Sequence, residues 1–408
     1  MSAKATAAPP AAPPTDTVRA WTVVAVATLG FAVTFWAWAL ISPLAPRFKE
    51  QLGLSSFQQA LLVAVPVLVG SLGRIPVGAL TDRFGGRVMF AVIAWVTILP
   101  VLFLGLAGND SLAALLVGGF FLGIAGTSFA VGVPLVNAWF PPRQRGLAVG
   151  VFGAGMGGTA ISALTTVKLA TAHGLRTPFL VTAAALAVYG VLAALVLRDA
   201  PGRAVPTATL AQRMGAAIKL RVTWQAALLY AVAFGGYVAF SVYLVTYLKT
   251  GYHLTPADAS NRMAGFVLVA VVMRPLGGAL SDRLGATRVL GVALAVVAAG
   301  AAVQALTPSL APTGTIAFLS MAAALGAGSG ATFALVAQRA PAAQVGSVTG
   351  LVGAAGGLGG FVPPLLMGSI YGRWDDYGPG LAALAVVALA SAVFAVRAVA
   401  RPDSSTRA

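Results

Sequence analysis

The stretch LLVAVPVLVGSLGRIPVGALTDRFGGR, residues 61–87, is almost wholly apolar up to Leu72. It then places Arg74 in the same run and ends on Gly78, Asp82, Arg83, Gly85 and Arg87. Nearly the same text returns as MRPLGGALSDRLGATR, residues 273–288. An arginine cannot shed its proton, and at the centre of a membrane helix it costs about 2.5–3.5 kcal/mol. Using one there twice needs a reason, and the reason depends on what kind of chain carries it.

The chain has 408 residues, of which 59% are hydrophobic and 9% charged. A soluble domain carries about 25% charged residues, so this is an integral membrane protein. The 48 glycines fit, because small residues let membrane helices approach closely. A formal charge of +16 raises nucleic acid as a partner, but the basic residues are spread over short loops rather than gathered in a patch. No nucleic-acid partner is expected. With no cysteine, disulfides and thiolate metal sites are excluded, and two histidines without membrane-buried acids make no metal cluster. The glycine-rich runs lie in apolar helices with no strand before them, which excludes a dinucleotide loop. No nucleophile–base pair is apparent, so neither an enzyme nor a cofactor is expected.

Twelve segments are long enough to cross a bilayer: 21–42, 57–80, 88–107, 112–139, 146–170, 177–197, 223–248, 258–280, 288–306, 313–338, 345–370 and 379–399. The expected fold is all-α, with a disordered tail over 1–20 and a first six-helix half over 21–197. A linker over 198–222, a second six-helix half over 223–400 and a tail over 401–408 complete it. If the N-terminus is inside, 17 of the 26 lysines and arginines fall in cytoplasmic tails and loops and 7 in outer ones. That bias places both termini and the linker in the cytoplasm, and the expected location is the cell (inner) membrane. Trp21, Trp139 and Trp224 fall at inner helix ends, as interfacial anchors do.

The halves repeat at an offset of 200. Arg74, Gly78, Asp82, Arg83 and Gly85 return as Arg274, Gly278, Asp282, Arg283 and Gly285. PPRQRGLAVGVFGAGMGG from Pro141 likewise echoes PAAQVGSVTGLVGAAGGL from Pro341. The paired spans run in the same direction, and such parallel repeats put a substrate site between the halves near the midplane. The glycines at 146, 150, 153 and 157 share one helix face, suited to close packing and to sliding or close substrate approach. Each arginine lies eight residues before the loop aspartate, about 12 Å along a helix. All ten acids fall in expected loops, tails or helix ends, so no intramembrane carboxylate neutralises them. Pro76 and Pro275 leave open that the arginines cap carbonyls at a helix break. Two at matching depths favour a mobile anion, because the guanidinium fork suits planar oxyanions.

The loop text GALTDRFGGR and its copy GALSDRLGATR resemble the signature of the major facilitator superfamily. More narrowly, Arg74, Arg274, GVFGAGMGGTAIS and GLVGAAGGLGGFVPP resemble the nitrate/nitrite porter family. The resemblance implies a secondary transporter of nitrate or nitrite working by alternating access, as an exchanger or with protons. The anion would be bound by Arg74 and Arg274. Phe129, Tyr230 and Phe234 would surround it, and Gly157, Gly158, Gly356 and Gly357 would line it. Asp82, Arg83, Arg87, Asp282 and Arg283 would form gates. The same resemblance raises the expectation of a monomer in the lipid bilayer. One departure stands: many family members have an asparagine in the first glycine-rich signature, and this chain has none. Two other readings remain open, a porter of small organic carboxylates and a transporter-like anion receptor. No appended signalling domain is seen, which counts against the receptor.

Overall fold

The computed structural model describes residues 17–201, 208–341 and 344–399. The expected tail positions 1–16 and 401–408, and Arg203 in the linker, lie outside the described residues. Within them the chain is helical without strands. Eleven helices are long and apolar enough to cross a membrane, and a bent pair supplies the twelfth. Spans 1 to 6 are Thr17–Leu52, Ser56–Leu72 with Arg74–Phe84, Gly86–Leu106, Leu112–Trp139, Ala148–His173 and Arg176–Val196. Spans 7 to 12 are Arg221–Tyr252, Pro256–Leu284, Ala286–Ala305, Leu310–Arg339, Val345–Trp374 and Gly378–Arg397. The first span starts at Thr17, ahead of the expected Trp21. The linker is not bare coil: Leu210–Ile218 forms a short helix, capped where Thr209 and Gln212 bond each other's backbone N–H.

The outer surface of the bundle carries many large apolar side chains. Leu99 and Val188 are each 70% exposed, which suits lipid and not water. Trp139 departs from its expected place at the interface. It is buried, and its indole N–H donates to the Arg198 carbonyl at 2.9 Å, tying span 4 to the end of span 6.

Regular helix fails where the halves meet. Span 2 bends by 40° at Gly73, just before Arg74. Pro76 has no N–H to return to Leu72, so the ladder is already weakened there. Spans 4 and 5 tighten into 3-10 turns at Gly123–Thr127 and Ala154–Gly157. Irregular backbone at membrane depth is tolerated only inside protein or beside a cavity. These turns flank the two arginines.

The halves are closed against each other on the face away from the linker. Ser42 Oγ donates to the Val242 carbonyl at 2.5 Å, Gln59 Nε2 to Thr246 Oγ1 at 3.0 Å, and Lys249 pairs with Glu50. A methyl group at Gly357 in span 11 would sit 2.0 Å from Ser71 Oγ in span 2. Toward the linker face the same helix faces are open. Gly78 and Gly278 each lie one turn past an arginine, and Gly350 and Gly346 lie on the face of Gly353. A methyl group at any of the four meets no atom within 4 Å.

Span 5 crosses span 1 at Gly158, where a methyl group would lie 1.9 Å from the Ala32 carbonyl oxygen. A methyl group at Gly157 would meet only Val271 Cγ2, at 4.0 Å. Gly158→Ala is therefore expected to destabilise the fold by about 1–3 kcal/mol through overpacking, and Gly157→Ala to leave it unchanged. Thermal unfolding of the two variants in detergent checks this contrast.

Candidate binding site between the halves

Arg74 and Arg274 are 7% and 6% exposed and reach the bundle centre from opposite halves. Arg74 Nη1 donates to the Gly353 carbonyl at 2.7 Å, and its Nε makes a long contact of 3.4 Å to the Gly126 carbonyl. Both acceptors belong to other helices, so Arg74 does not cap its own helix break. Arg274 Nη2 donates to the Tyr230 hydroxyl at 2.9 Å, and its Nη1 points at the Met156 sulfur at 3.1 Å.

Two phenyl rings bind the pair together. Phe129 lies 5.2 Å from Arg74 Cζ and 5.7 Å from Arg274 Cζ, and Phe234 lies 5.7 and 5.3 Å from the same atoms. Both guanidinium groups thus sit within cation–π reach of both rings. Tyr230 stacks parallel to Phe234 at 4.8 Å, since they are one turn apart on span 7.

No carboxylate reaches either arginine among the described residues. Asp110, Asp199, Asp375 and Asp376 lie in turns, and Glu50, Asp82, Asp258 and Asp282 at helix ends. The site therefore holds two like charges in a low-dielectric interior with only carbonyls, a hydroxyl, a sulfur and ring faces to offset them. Its electrostatics call for an anion. On the far side of Arg74, a void lined by Phe35, Trp38 and Ser71 measures about 10 Å³, the lower limit for one water.

The expected glycines divide by place. Gly356 lies against the site's rings, with a methyl there 2.2 Å from Tyr230 Cδ1, and Gly157 faces span 8. Gly158 and Gly357 sit in helix crossings, under the Ala32 carbonyl and against Ser71. Sequence reasoning did not single out Gly153 and Gly353 for the site: a methyl group at Gly153 would lie 3.7 Å from Arg274 Nε, and one at Gly353 4.0 Å from Arg74 Nη1. Both stood in the repeated windows, so the signal was present. Phe333 in span 10 was also missed; it meets Tyr230 edge-on at 4.8 Å and lies 5.8 Å from Arg274 Cζ. Nothing in its local sequence distinguishes it from a packing residue.

The loop residues are engaged unequally. Asp82 pairs with Arg213 of the linker helix at 2.7 Å, Arg87 Nε donates to the Ala194 carbonyl at 2.9 Å, and Arg83 lies over Phe84. Asp282 and Arg283 are exposed. Asp82→Asn is expected to loosen the linker helix, seen as faster trypsin cleavage after Arg213 than in the wild type.

The profile of the Major Facilitator Superfamily matches residues 27–260 and 226–408. The probable nitrate/nitrite transporter NarK2 of Mycobacterium tuberculosis H37Rv is 49% identical over 371 residues, covering 90% of this chain and 94% of that protein. The nitrite extrusion protein of Bacillus subtilis 168 is 37% identical over 372 residues, covering 90% and 92%. A solved structure similar in fold is that of a bacterial homolog of the human lysosomal transporter Spinster, in an inward-facing and occupied conformation. Its TM-score is 0.71 at 20% identity, covering 95% of this chain and 98% of that one. The chain belongs to the major facilitator superfamily and, within it, to the nitrate/nitrite porters. It is a multi-pass membrane transporter and not an enzyme.

Proposed function

We propose that the protein moves nitrate and nitrite across the cell's inner membrane by alternating access, as a monomer in the lipid bilayer. One observation carries the reading. Two buried guanidinium groups, one from each half, converge on the same two phenyl rings with no carboxylate between them. The names of the relatives in M. tuberculosis and B. subtilis support it.

Arg74 and Arg274 hold the anion through their planar forks, while the faces of Phe129 and Phe234 restrict it to a small flat ion. Tyr230 orients Arg274. Gly356 admits the rings, Gly157 leaves room beside the anion, and Gly158 and Gly357 let the neighbouring spans come close. Without an anion, two unpaired positive charges oppose closure of the halves; with one, that repulsion is relieved and the halves can rock. The positive-inside bias puts the linker face in the cytoplasm, so the structure is the cytoplasm-open state. The halves, 21–197 and 223–400, then rock about the site, with 198–222 as a cytoplasmic linker. Asp82, Arg83 and Arg87, with Asp282 and Arg283, form the gate that closes on that side.

Exchange of nitrate for nitrite is the favoured cycle. Moving one anion inward against an inside-negative potential costs about 2.3 kcal/mol per 100 mV, and one-for-one exchange avoids that cost. Proton-coupled uptake needs a proton carrier, and the site offers no carboxylate for it.

The test is labelled-nitrate flux into proteoliposomes loaded with nitrite, nitrate, formate or buffer. Wild-type protein is expected to take up nitrate only against trapped nitrate or nitrite. Arg74→Ala and Arg274→Ala are each expected to lower the rate by at least about a hundredfold, through loss of a buried charged contact. Absence of nitrate uptake in all four vesicles overturns the assignment. Uptake into buffer-loaded vesicles driven by a pH gradient overturns exchange, and normal flux in either variant makes that arginine structural.

A further inference from the structure

The two arginines match in sequence but not in their partners. Arg74 Nη1 donates to a backbone carbonyl, Gly353, at 2.7 Å. Arg274 Nη1 has only a thioether, Met156 Sδ at 3.1 Å. Both contacts cross between the halves, from span 2 to span 11 and from span 8 to span 5. A carbonyl oxygen is a strong acceptor fixed in the backbone. A thioether is a weak acceptor on a flexible side chain with three rotatable bonds.

Around Met156 everything but the side chain is held. Its carbonyl accepts from Thr159 Oγ1 at 3.1 Å and from the Tyr237 hydroxyl at 3.4 Å. Those two hydroxyls lie 3.2 Å apart. Before it, Gly155 packs so tightly that a methyl group there would lie 2.6 Å from Phe31 Cβ. Met156 itself is fully buried. In the other half, 200 residues on, stands Gly356, where the rings of Tyr230 and Phe234 take up the space. A side chain able to reach an arginine thus exists at this repeat position only in the first half.

We propose that Met156 is a displaceable acceptor that occupies Arg274 until the anion arrives, so that Arg74 is the anchored arm of the pair and Arg274 the released one. The inference rests on the anion reading above. In the empty site the sulfur gives Nη1 a partner and moderates the cost of a buried, unpaired donor. An oxygen of the incoming anion makes a shorter, charge-assisted bond and displaces it. The methionine side chain rotates away while Thr159 and Tyr237 keep its backbone in place. Met156 is therefore a positioning residue whose weakness as an acceptor sets how readily the anion enters.

The test is nitrate/nitrite exchange in proteoliposomes with wild-type protein, Met156→Leu and Met156→Gln. Leucine keeps the apolar bulk without the sulfur; glutamine offers an oxygen acceptor of similar reach. Met156→Gln is expected to raise the half-saturating nitrate concentration about tenfold, the worth of one net hydrogen bond. Met156→Leu is expected to lower it severalfold. Opposite shifts are a result that a packing role does not give. If both variants raise the half-saturating concentration, or Met156→Leu matches the wild type, the proposal is wrong. If Met156→Gln does not fold, Met156→Leu decides alone, by flux and by nitrate-dependent thermal stabilisation in detergent. Wild-type protein that exchanges no nitrate overturns the anion reading and this one together. Intact wild-type exchange with unshifted variants overturns this one only.

Discussion

Two permanently charged guanidinium groups, buried between the halves with no carboxylate partner among the described residues, constrain everything around them. Each must be offset by dipoles and ring faces, because no carboxylate among the described residues is within reach. That requirement accounts for the carbonyls of Gly126 and Gly353 turned toward Arg74, the Tyr230 hydroxyl on Arg274, and the two phenyl rings shared by both. It also explains why backbone irregularity gathers at this depth. The bend at Gly73 and the 3-10 turns before Ser128 and Gly158 bring carbonyls and side chains in at angles a straight helix does not allow. The partners stabilise each charge partly and leave the pair short of neutrality. On the proposed reading a small anion removes that residue of charge, which makes the site selective by sign before shape is considered.

The second constraint is that the halves are related by a repeat but do not carry equal parts. Arginines and glycines recur at the offset of 200, and they build the frame: one cation from each half, each against the glycine-rich span of the other. The rings and side chains around the two arginines do not recur. Tyr230 and Phe234 come from span 7 alone, and their counterparts at 30 and 34 are a glycine under Tyr189 and a threonine. Phe129 answers to Ser329, and Met156 to Gly356. The repeat supplies the frame of the site, and departures from the repeat supply the groups around its arginines.

Much of this was legible beforehand. The spans followed from apolar length, and the arginine pair stood out because an ion in oil is expensive wherever the chain folds. The absence of an internal counter-ion was a matter of counting ten acids and finding each in an expected loop, tail or helix end. Where reading failed, it failed on neighbours. Phe333 and Met156 are ordinary residues in ordinary helices, and only the approach of spans 8 and 10 to spans 4, 5 and 7 puts them beside a cation. Trp139 went astray for a related reason. A tryptophan at a helix end suits the lipid interface and suits a buried bond to the next helix end equally well, and the choice belongs to packing.

By itself, then, the sequence determined the solvent of this protein, its twelve crossings, its repeat and the sign of the ion its centre calls for. These depend on composition, periodicity and charge, which are properties of the chain at any fold. Only the tertiary structure decided which face is open, with Ser42, Gln59 and Lys249 closing one side and bare glycines facing space on the other. Only it decided that Arg74 rests on a carbonyl and Arg274 on a sulfur. Such choices turn on distances of a few tenths of an ångström between residues a hundred or more positions apart, and local sequence carries no record of them.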